Sequence, residues 1–530
     1  MAEKNKKGTF HLSSLLVSAV CFALLYIVSL LALQGSGYFP QPNWQQISLF
    51  MSFIIIFSSS KKLFYFIALP ILFIYACYAP IGLHFGAPSY QYIASVFATD
   101  LQEGKEFFAQ IPFIAYTYPI AIIGGLLLYR WLSQKFHLAF YKNKGLLALI
   151  FVNALWGNIP FQPLQESYLA GEKVVEELRL LNRFDVPSEW GESQLDSRSH
   201  YDDYILVIGE SARKDYHHAY GYPVANTPFL STAKGTLIDG LTAGGTNTIA
   251  SLKLMFTKPN KQTWEGNYRL NFIDLIKSAG IKTYWLSNQG YLGQYDTPIS
   301  AIANKSDEKI FLRAGDSISN DVSDFNLLSR FDQLIQAPTT GKRFIVVHLY
   351  GSHPLVCERV TDYKKIFDEN QIAKKYQDVN CYISSIKKTD EVLNKIYQDL
   401  VKNQQKNHRT FSMVYFSDHG LAHQMGDDYI AIHNSNGKSK RHYDIPLFKI
   451  SSDDQQRQEK KVSKSGLNFA EGLANWIGIR NANIDPNADL FDDTPQPDYG
   501  LKEKIEKITA PDDPAVVIPN HHSLISVTSD

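Results

Sequence analysis

"YDDYILVIGESARKDY" (residues 201–216) decides the fold. An unbroken apolar run, 204–208, closes on Gly209 and a single carboxylate, Glu210, before charge resumes. A short run without polar alternation reads as a strand buried on both faces. Runs of the same kind follow at 283–287 ("TYWLS"), 344–350 ("FIVVHLY"), 411–417 ("FSMVYFS") and 445–450 ("IPLFKI"), with helical patterns between them, as at 269–279 and 379–402. Strands alternating with helices predict an α/β domain: a mostly parallel sheet covered by helices on both faces, with functional side chains gathered at the strands' carboxyl ends.

Three of these runs lead into metal-competent side chains. The first ends in Gly209-Glu210, the fourth in Ser417-Asp418-His419-Gly420, and the third continues into "HLYGSHP" with His348 and His353. Any one strand-end acid is explained by solvation, and His348, inside an apolar run, reads as a packed histidine. Glu210, Asp418, His419 and His353 on separate strand ends of one sheet are harder to explain that way. Carboxylates with imidazole suit zinc. "GLTAGGTNTIASLKLMF" (240–256) runs from Gly and Thr into a helical pattern, which places Thr246 or Thr248 at a helix N-terminus, where backbone N–H groups favour phosphate. Capping is the simpler reading for Thr246. A threonine hydroxyl is a nucleophile only with a metal or base to help deprotonate it.

The chain has 530 residues, 45% hydrophobic and 13% aromatic, and the apolar excess lies in the first 161 residues. Residues 12–33 carry no charge and as a helix would span about 33 Å, enough for a bilayer core of about 30 Å. Further apolar stretches at 44–60, 63–83, 111–129 and 145–161 bring the expected count to five spans. The length of the first run and the spans that follow argue against a cleaved signal peptide. Lys4, Lys6 and Lys7, then Lys61 and Lys62, then Arg130, Lys135, Lys142 and Lys144 alternate onto one side, the cytoplasmic one. An odd number of spans puts the polar remainder outside the cytoplasm. There Cys357 and Cys381 are expected to pair. A net charge of zero gives no sign of nucleic-acid binding. Residues 165–183 read as an amphipathic helix at the membrane surface, and the last 40 residues, rich in Pro and Asp, as partly irregular.

"VIGESARKDYHHAYGYPVANTPFL", "GGTNTIASLKLMF", "GSHP" and "YFSDHG", in that order, resemble the consecutive motifs of the membrane-bound phosphoethanolamine transferases. That group, within the alkaline phosphatase and sulfatase superfamily, includes the lipid A and lipooligosaccharide modifying enzymes and the mobile colistin resistance enzymes. The resemblance covers nearly the whole chain and implies a transmembrane domain over 1–161, a bridging helix and linker over 162–200, and a periplasmic sulfatase-like catalytic domain over 201–530 of a multi-pass inner-membrane protein.

By motif, the resemblance implies Zn2+ held by Glu210, Asp418, His419 and the nucleophilic threonine, which the pattern Gly-Thr-x-Thr selects as Thr248. It places His353, and less closely His433, on the substrate phosphate, and Glu103, in "ATDLQEGKEF", on the ethanolamine head group. The implied reaction moves phosphoethanolamine from phosphatidylethanolamine to a lipopolysaccharide or lipooligosaccharide acceptor through a phospho-threonine intermediate, with release of diacylglycerol by a monomer. Where the lipid A and colistin enzymes carry a cysteine pair beside the nucleophile, this chain has Gly244 and Leu254, and their lysine has no clear counterpart in "WLSNQGYLGQYD". A core-sugar acceptor gains over lipid A. The competing readings are a phosphoglycerol transferase acting on phosphatidylglycerol and a non-catalytic membrane sensor or assembly protein, which would hold no stoichiometric zinc. No C/S-x-P-x-R pattern marks a formylglycine sulfatase.

Overall fold

The structure is a computed structural model of the whole chain, described here over residues 2–88, 93, 101–143, 145, 162–182, 186–291, 297–314, 323–434 and 439–519. Two compact units emerge, Met1–Val96 with Phe107–Val175, and Phe97–Glu106 with Glu176–Asp530.

In the first unit, three helices are long and apolar enough to cross a bilayer: Leu15–Gly35, Lys61–Phe85 and Phe113–Lys135. The span expected at 44–60 is shorter, a helix of 14 residues, Trp44–Phe57. Local chemistry fixes its ends. Asn43 and Gln46 close a capping box at its start. At its end the Ser58 hydroxyl bonds back to the Ile54 carbonyl at 2.7 Å, and Arg130 Nη1 donates to the Ser58 carbonyl at 2.7 Å. Ser60 then caps the next helix through the Leu63 amide. At about 1.5 Å per residue, 14 residues reach only about 21 Å. The span expected at 145–161 lies, apart from Gly145, outside the described residues, so the count among described residues is three long helices and one short one. Gly35 and Gly82 let two of the long helices meet, since a Cβ at Gly82 would sit 2.0 Å from the Gly35 carbonyl oxygen.

The second unit is built on eight strands: β1 (Asp203–Gly209), β2 (Thr236–Thr242), β3 (Lys282–Tyr291), β4 (Glu308–Ala314), β5 (Arg343–His348), β6 (Phe411–Ser417), β7 (Asp444–Ser451) and β8 (Gln458–Ser465). Their order across the sheet is β8-β2-β7-β6-β1-β5-β3-β4. Five pairings are parallel, and the two made by β7, with β2 and β6, are antiparallel, so the sheet is mixed but mostly parallel. Strand β1 sits near the middle, and its side chains divide by the two-residue period of a strand. Leu206 and Ile208 join one core with Leu252, Phe272 and Leu473, which come from the helices Thr248–Met255, Phe272–Ser278 and Phe469–Ile477. Ile205 and Val207 join the other with Phe331 and Leu393, from the helices Asn326–Gln336 and Gln377–Asn407. Both faces are therefore covered.

Strands β2, β4 and β8 had not been read from sequence. β8, "QEKKVSKS", and β4, "EKIFLRA", are the sheet's edges, where one flank meets solvent and charge is tolerated. β2 is interrupted by Asp239 and Gly240. Cys357 and Cys381 are joined in a disulfide, and the amphipathic helix runs over Gln162–Asn182.

The amino ends of the central strands are tied by charge. Asp203 Oδ1 and Oδ2 accept from Arg343 Nε at 2.7 Å and Nη2 at 2.8 Å, while Arg409 Nη2 adds 2.7 Å to Oδ1. Asp203 and Arg343 are almost wholly buried, so removing the acid strands a guanidinium. Asp203→Ala is expected to cost about 3–5 kcal/mol, seen as a lower urea midpoint for the tryptophan fluorescence transition; an unchanged midpoint would contradict this account.

Candidate active site

Strands β1 and β6 pair in parallel register with Gly209 opposite Ser417. The next residue on each is an acid, so Glu210 and Asp418 leave the sheet side by side, and the Asp418 amide still donates to the Gly209 carbonyl at 3.1 Å. Ser211 adopts φ +59°, an unusual conformation for a residue with a side chain. That turn lets its amide donate to Asp418 Oδ1 at 3.0 Å and its hydroxyl to Glu210 Oε1 at 2.6 Å. Beyond β5 the chain turns through Tyr350 and Gly351, whose amides both donate to the buried carboxylate of Asp324, at 2.8 and 2.9 Å. Gly351 has φ +50°, and a Cβ there would lie 2.9 Å from the Glu210 amide nitrogen, so a larger residue would push Glu210 aside.

The helix Thr248–Met255 begins at the cluster. Its cap is neither threonine: Asn247 accepts from the Ala250 amide at 2.9 Å, which leaves Thr248 as the first helical residue. The Thr248 hydroxyl donates to Glu210 Oε2 at 3.0 Å. Ser251, one turn on, anchors the helix by donating to the Asp418 carbonyl at 2.7 Å.

His419 completes the group. Its Nδ1 bonds the Gly420 carbonyl at 2.7 Å, which turns Nε2 inward, 3.2 Å from Glu210 Oε1, 3.5 Å from Asp418 Oδ2 and 3.5 Å from Thr248 Oγ1. Burial disfavours ionised Glu210, but the hydrogen bond and charge of His419 outweigh it and hold this carboxyl well below the usual range. Burial and the neighbouring Glu210 charge push Asp418 up to about 7. Burial opposes the His419 cation, yet Asp418 and Glu210 raise it to about 9. Two acids held this way lack positive charge.

The ligand atoms of Glu210, Asp418 and His419 lie within 4.8 Å of one another. Asp418 Oδ2 is buried without a hydrogen-bond partner among the described residues. A divalent cation would satisfy that oxygen, and a histidine whose other nitrogen is fixed by a carbonyl is the usual form of a metal-binding imidazole. The donor set of two carboxylates, an imidazole and a hydroxyl fits zinc.

The structure thus brings together Glu210, Thr248, Asp418 and His419. His353 stands on the neighbouring loop, its ring stacked on Tyr350 at 4.9 Å, and its charge favours ionised Glu210. His433 is carried by a hairpin of Ala422–Met425 with Ile430–His433, its Nδ1 bonded to the Asn434 carbonyl at 2.8 Å. The backbone of Glu103 belongs to the helix Leu101–Ala109, and its side chain lies outside the described residues. Sequence reasoning passed over Ser211, Asp324 and Gln289. Gln289 Nε2 bridges Glu210 Oε2 at 3.2 Å and the Leu349 carbonyl at 2.7 Å. Ser211 was visible beside Glu210, whereas an acid ahead of a surface helix, as Asp324 is, carries no local signal.

A family model described as Sulfatase matches residues 202–479. A Haemophilus influenzae protein named "Putative phosphoethanolamine transferase" is 51% identical over 428 residues, 80% of this chain and 87% of that one. Phosphoethanolamine transferase OpgE of Escherichia coli is 28% identical over 431 residues, 77% of this chain and 79% of its own. The fold is shared with the integral membrane protein lipooligosaccharide phosphoethanolamine transferase A (EptA) from Neisseria meningitidis, at a TM-score of 0.58 and 16% identity over 91% of this chain and 99% of that one. Sheet and match together define an alkaline phosphatase-like domain of the sulfatase kind. Within that superfamily the chain belongs to the phosphoethanolamine transferases.

Protons and a cation compete for the same oxygens and nitrogen. With His419 raised to about 9 and Asp418 to about 7, apparent Zn2+ affinity of the metal-stripped protein is expected to rise about tenfold per pH unit, for each proton displaced, below those values and to level off above them. Competition against a chromophoric chelator measures it, and a flat profile would show that these groups are not the ligands.

Proposed function

We propose that the protein transfers phosphoethanolamine from phosphatidylethanolamine to a lipopolysaccharide or lipooligosaccharide acceptor, with Thr248 as the nucleophile. The carrying observation is the Thr248 hydroxyl at a helix N-terminus, 3.0 Å from a carboxylate that His419 keeps ionised against the cost of its burial. Glu210 is placed to orient that hydroxyl and draw its proton. Thr248 Oγ then attacks phosphorus, the bond to the glycerol oxygen breaks, and diacylglycerol departs with a proton. An acceptor hydroxyl attacks the phospho-threonine and returns the threonine. His353, on the loop beside Glu210, and His433 bind the phosphoryl oxygens or protonate the leaving oxygen. Zn2+ held by Glu210, Asp418, His419 and Thr248 would supply the positive charge that lowers the hydroxyl's pKa.

The same reading places residues 1–161 in the inner membrane as a multi-pass domain, 162–200 as a bridge and 201–530 in the periplasm as a monomeric catalytic domain. Confinement to one leaflet raises the effective concentration of an amphiphilic donor. Glu103 is assigned to the ethanolamine ammonium. Gly244 and Leu254, in place of a cysteine pair, favour a core-sugar acceptor over lipid A.

Full-length protein given labelled phosphatidylethanolamine is expected to release diacylglycerol and carry label on Thr248. Thr248→Ala should lower turnover by about a thousandfold or more, and His353→Ala less. Full activity in Thr248→Ala would end this reading, and release of glycerol phosphate from phosphatidylglycerol, with phosphatidylethanolamine inert, would replace the donor. Mass spectrometry of lipopolysaccharide with and without the gene assigns the acceptor.

A further inference from the structure

Residues 511–519 contain neither helix nor strand, yet they are fastened to the catalytic unit at several points. Asp513 is the chief one. Its Oδ2 accepts from the His423 amide at 3.0 Å and from Arg213 Nη1 at 3.3 Å, its carbonyl accepts from Arg213 Nη2 at 2.5 Å, and the Ser439 hydroxyl donates to Oδ1. Further along, the Val516 amide donates to the Tyr216 hydroxyl at 3.0 Å and the Val516 carbonyl accepts from Tyr222 at 2.8 Å. Ile518, 3% exposed, packs into the apolar cluster that also holds Ile430 and Ile432.

These attachments converge on the hairpin that carries His433. His423, held by Asp513, adjoins Ala422, and Ala422 is the cross-strand partner of His433. Ile430 and Ile432, on the strand of His433, belong to the same apolar cluster as Ile518. The hairpin itself is two strands of four residues, too little to hold one geometry unaided. Arg213 links the same carboxylate to the segment just after Glu210. One short strap thus ties the hairpin to the segment leaving β1.

We infer that Asp513 is a positioning residue: through the His423 amide and Arg213 it sets the distance between His433 and the Thr248 cluster, and so governs binding of the donor's phosphate. The inference rests on the reading of His433 as a phosphate-binding group. Asp513→Ala need not unfold the domain, because Arg213 keeps Asp215, at 2.9 Å from Nε and 2.7 Å from Nη2.

The test compares full-length zinc-loaded Asp513→Ala, Asp513→Asn and Thr248→Ala on vesicles of phosphatidylethanolamine. Asp513→Ala is expected to raise KM about tenfold, with kcat within about twofold of the parent. Zinc stoichiometry should be unchanged, and amide exchange should quicken over 422–433 but not in β1 or β6. Asp513→Asn, which keeps one acceptor oxygen, should recover part of the KM. Unchanged KM and exchange in Asp513→Ala would overturn the inference, as would a joint loss of kcat and zinc, which marks a merely structural residue. If Thr248→Ala stays active the functional reading falls instead, and the exchange data still judge the strap.

Discussion

Two carboxylates buried side by side are the constraint around which this protein is arranged. Glu210 and Asp418 are both essentially inaccessible to solvent, and ions of like sign withdrawn from water cost several kcal/mol each unless something answers their charge. His419 answers part of it and Asp418 takes a proton readily for the same reason. Without a cation, then, the cluster keeps its balance by holding protons. The cost falls on Asp418, whose carboxyl burial and the Glu210 charge push up, while His419 offsets the cost for Glu210.

What holds the two acids in place is visible in the register. Parallel pairing of β1 with β6 on one side and β5 on the other places three chain exits at one edge. Because every side chain of β1 is buried, a slip by one residue would exchange its two core faces, so the positions of Glu210 and Asp418 are fixed by packing far from them. The acid-arginine cluster on Asp203 fixes the opposite end of the same strands. Asp324 and Gly351 then bring the third exit close without contributing a ligand.

The centre of the fold was legible because buried strands announce themselves: β1, β6 and the chemistry at their ends can be read directly from "YILVIGE" and "FSMVYFSDHG". The edges were not, since β4 and β8 carry lysine, glutamate and arginine in patterns a loop would share. Glu210, Asp418 and His419 stood out as acids and imidazole after apolar runs, whereas Ser211, Gln289 and Asp324 act through hydrogen bonds that only tertiary structure forms. The short helix Trp44–Phe57 was overestimated because hydropathy averaged across the serines that end it. Thr246 was assigned a cap that Asn247 supplies, a difference of one residue that local propensity does not resolve.

The site also divides by rigidity. Glu210, Asp418, His419 and Thr248 are carried by the central sheet and by a helix anchored to it through Ser251, and hydrogen bonds from the Ser211 amide to Asp418 and from Thr248 to Glu210 brace them. His433 is carried by a small hairpin that packs against the helix Gln377–Asn407 and is bonded to the far end of the chain through Asp513. A nucleophile and its activating groups must be held to within fractions of an ångström, whereas groups that receive a bulky lipid head group must admit it and release the product. On the proposed reading, placing the first set on the sheet and its anchored helix and His433 on a strapped hairpin meets both demands, and the bonds made by 511–519 help to hold that hairpin in place.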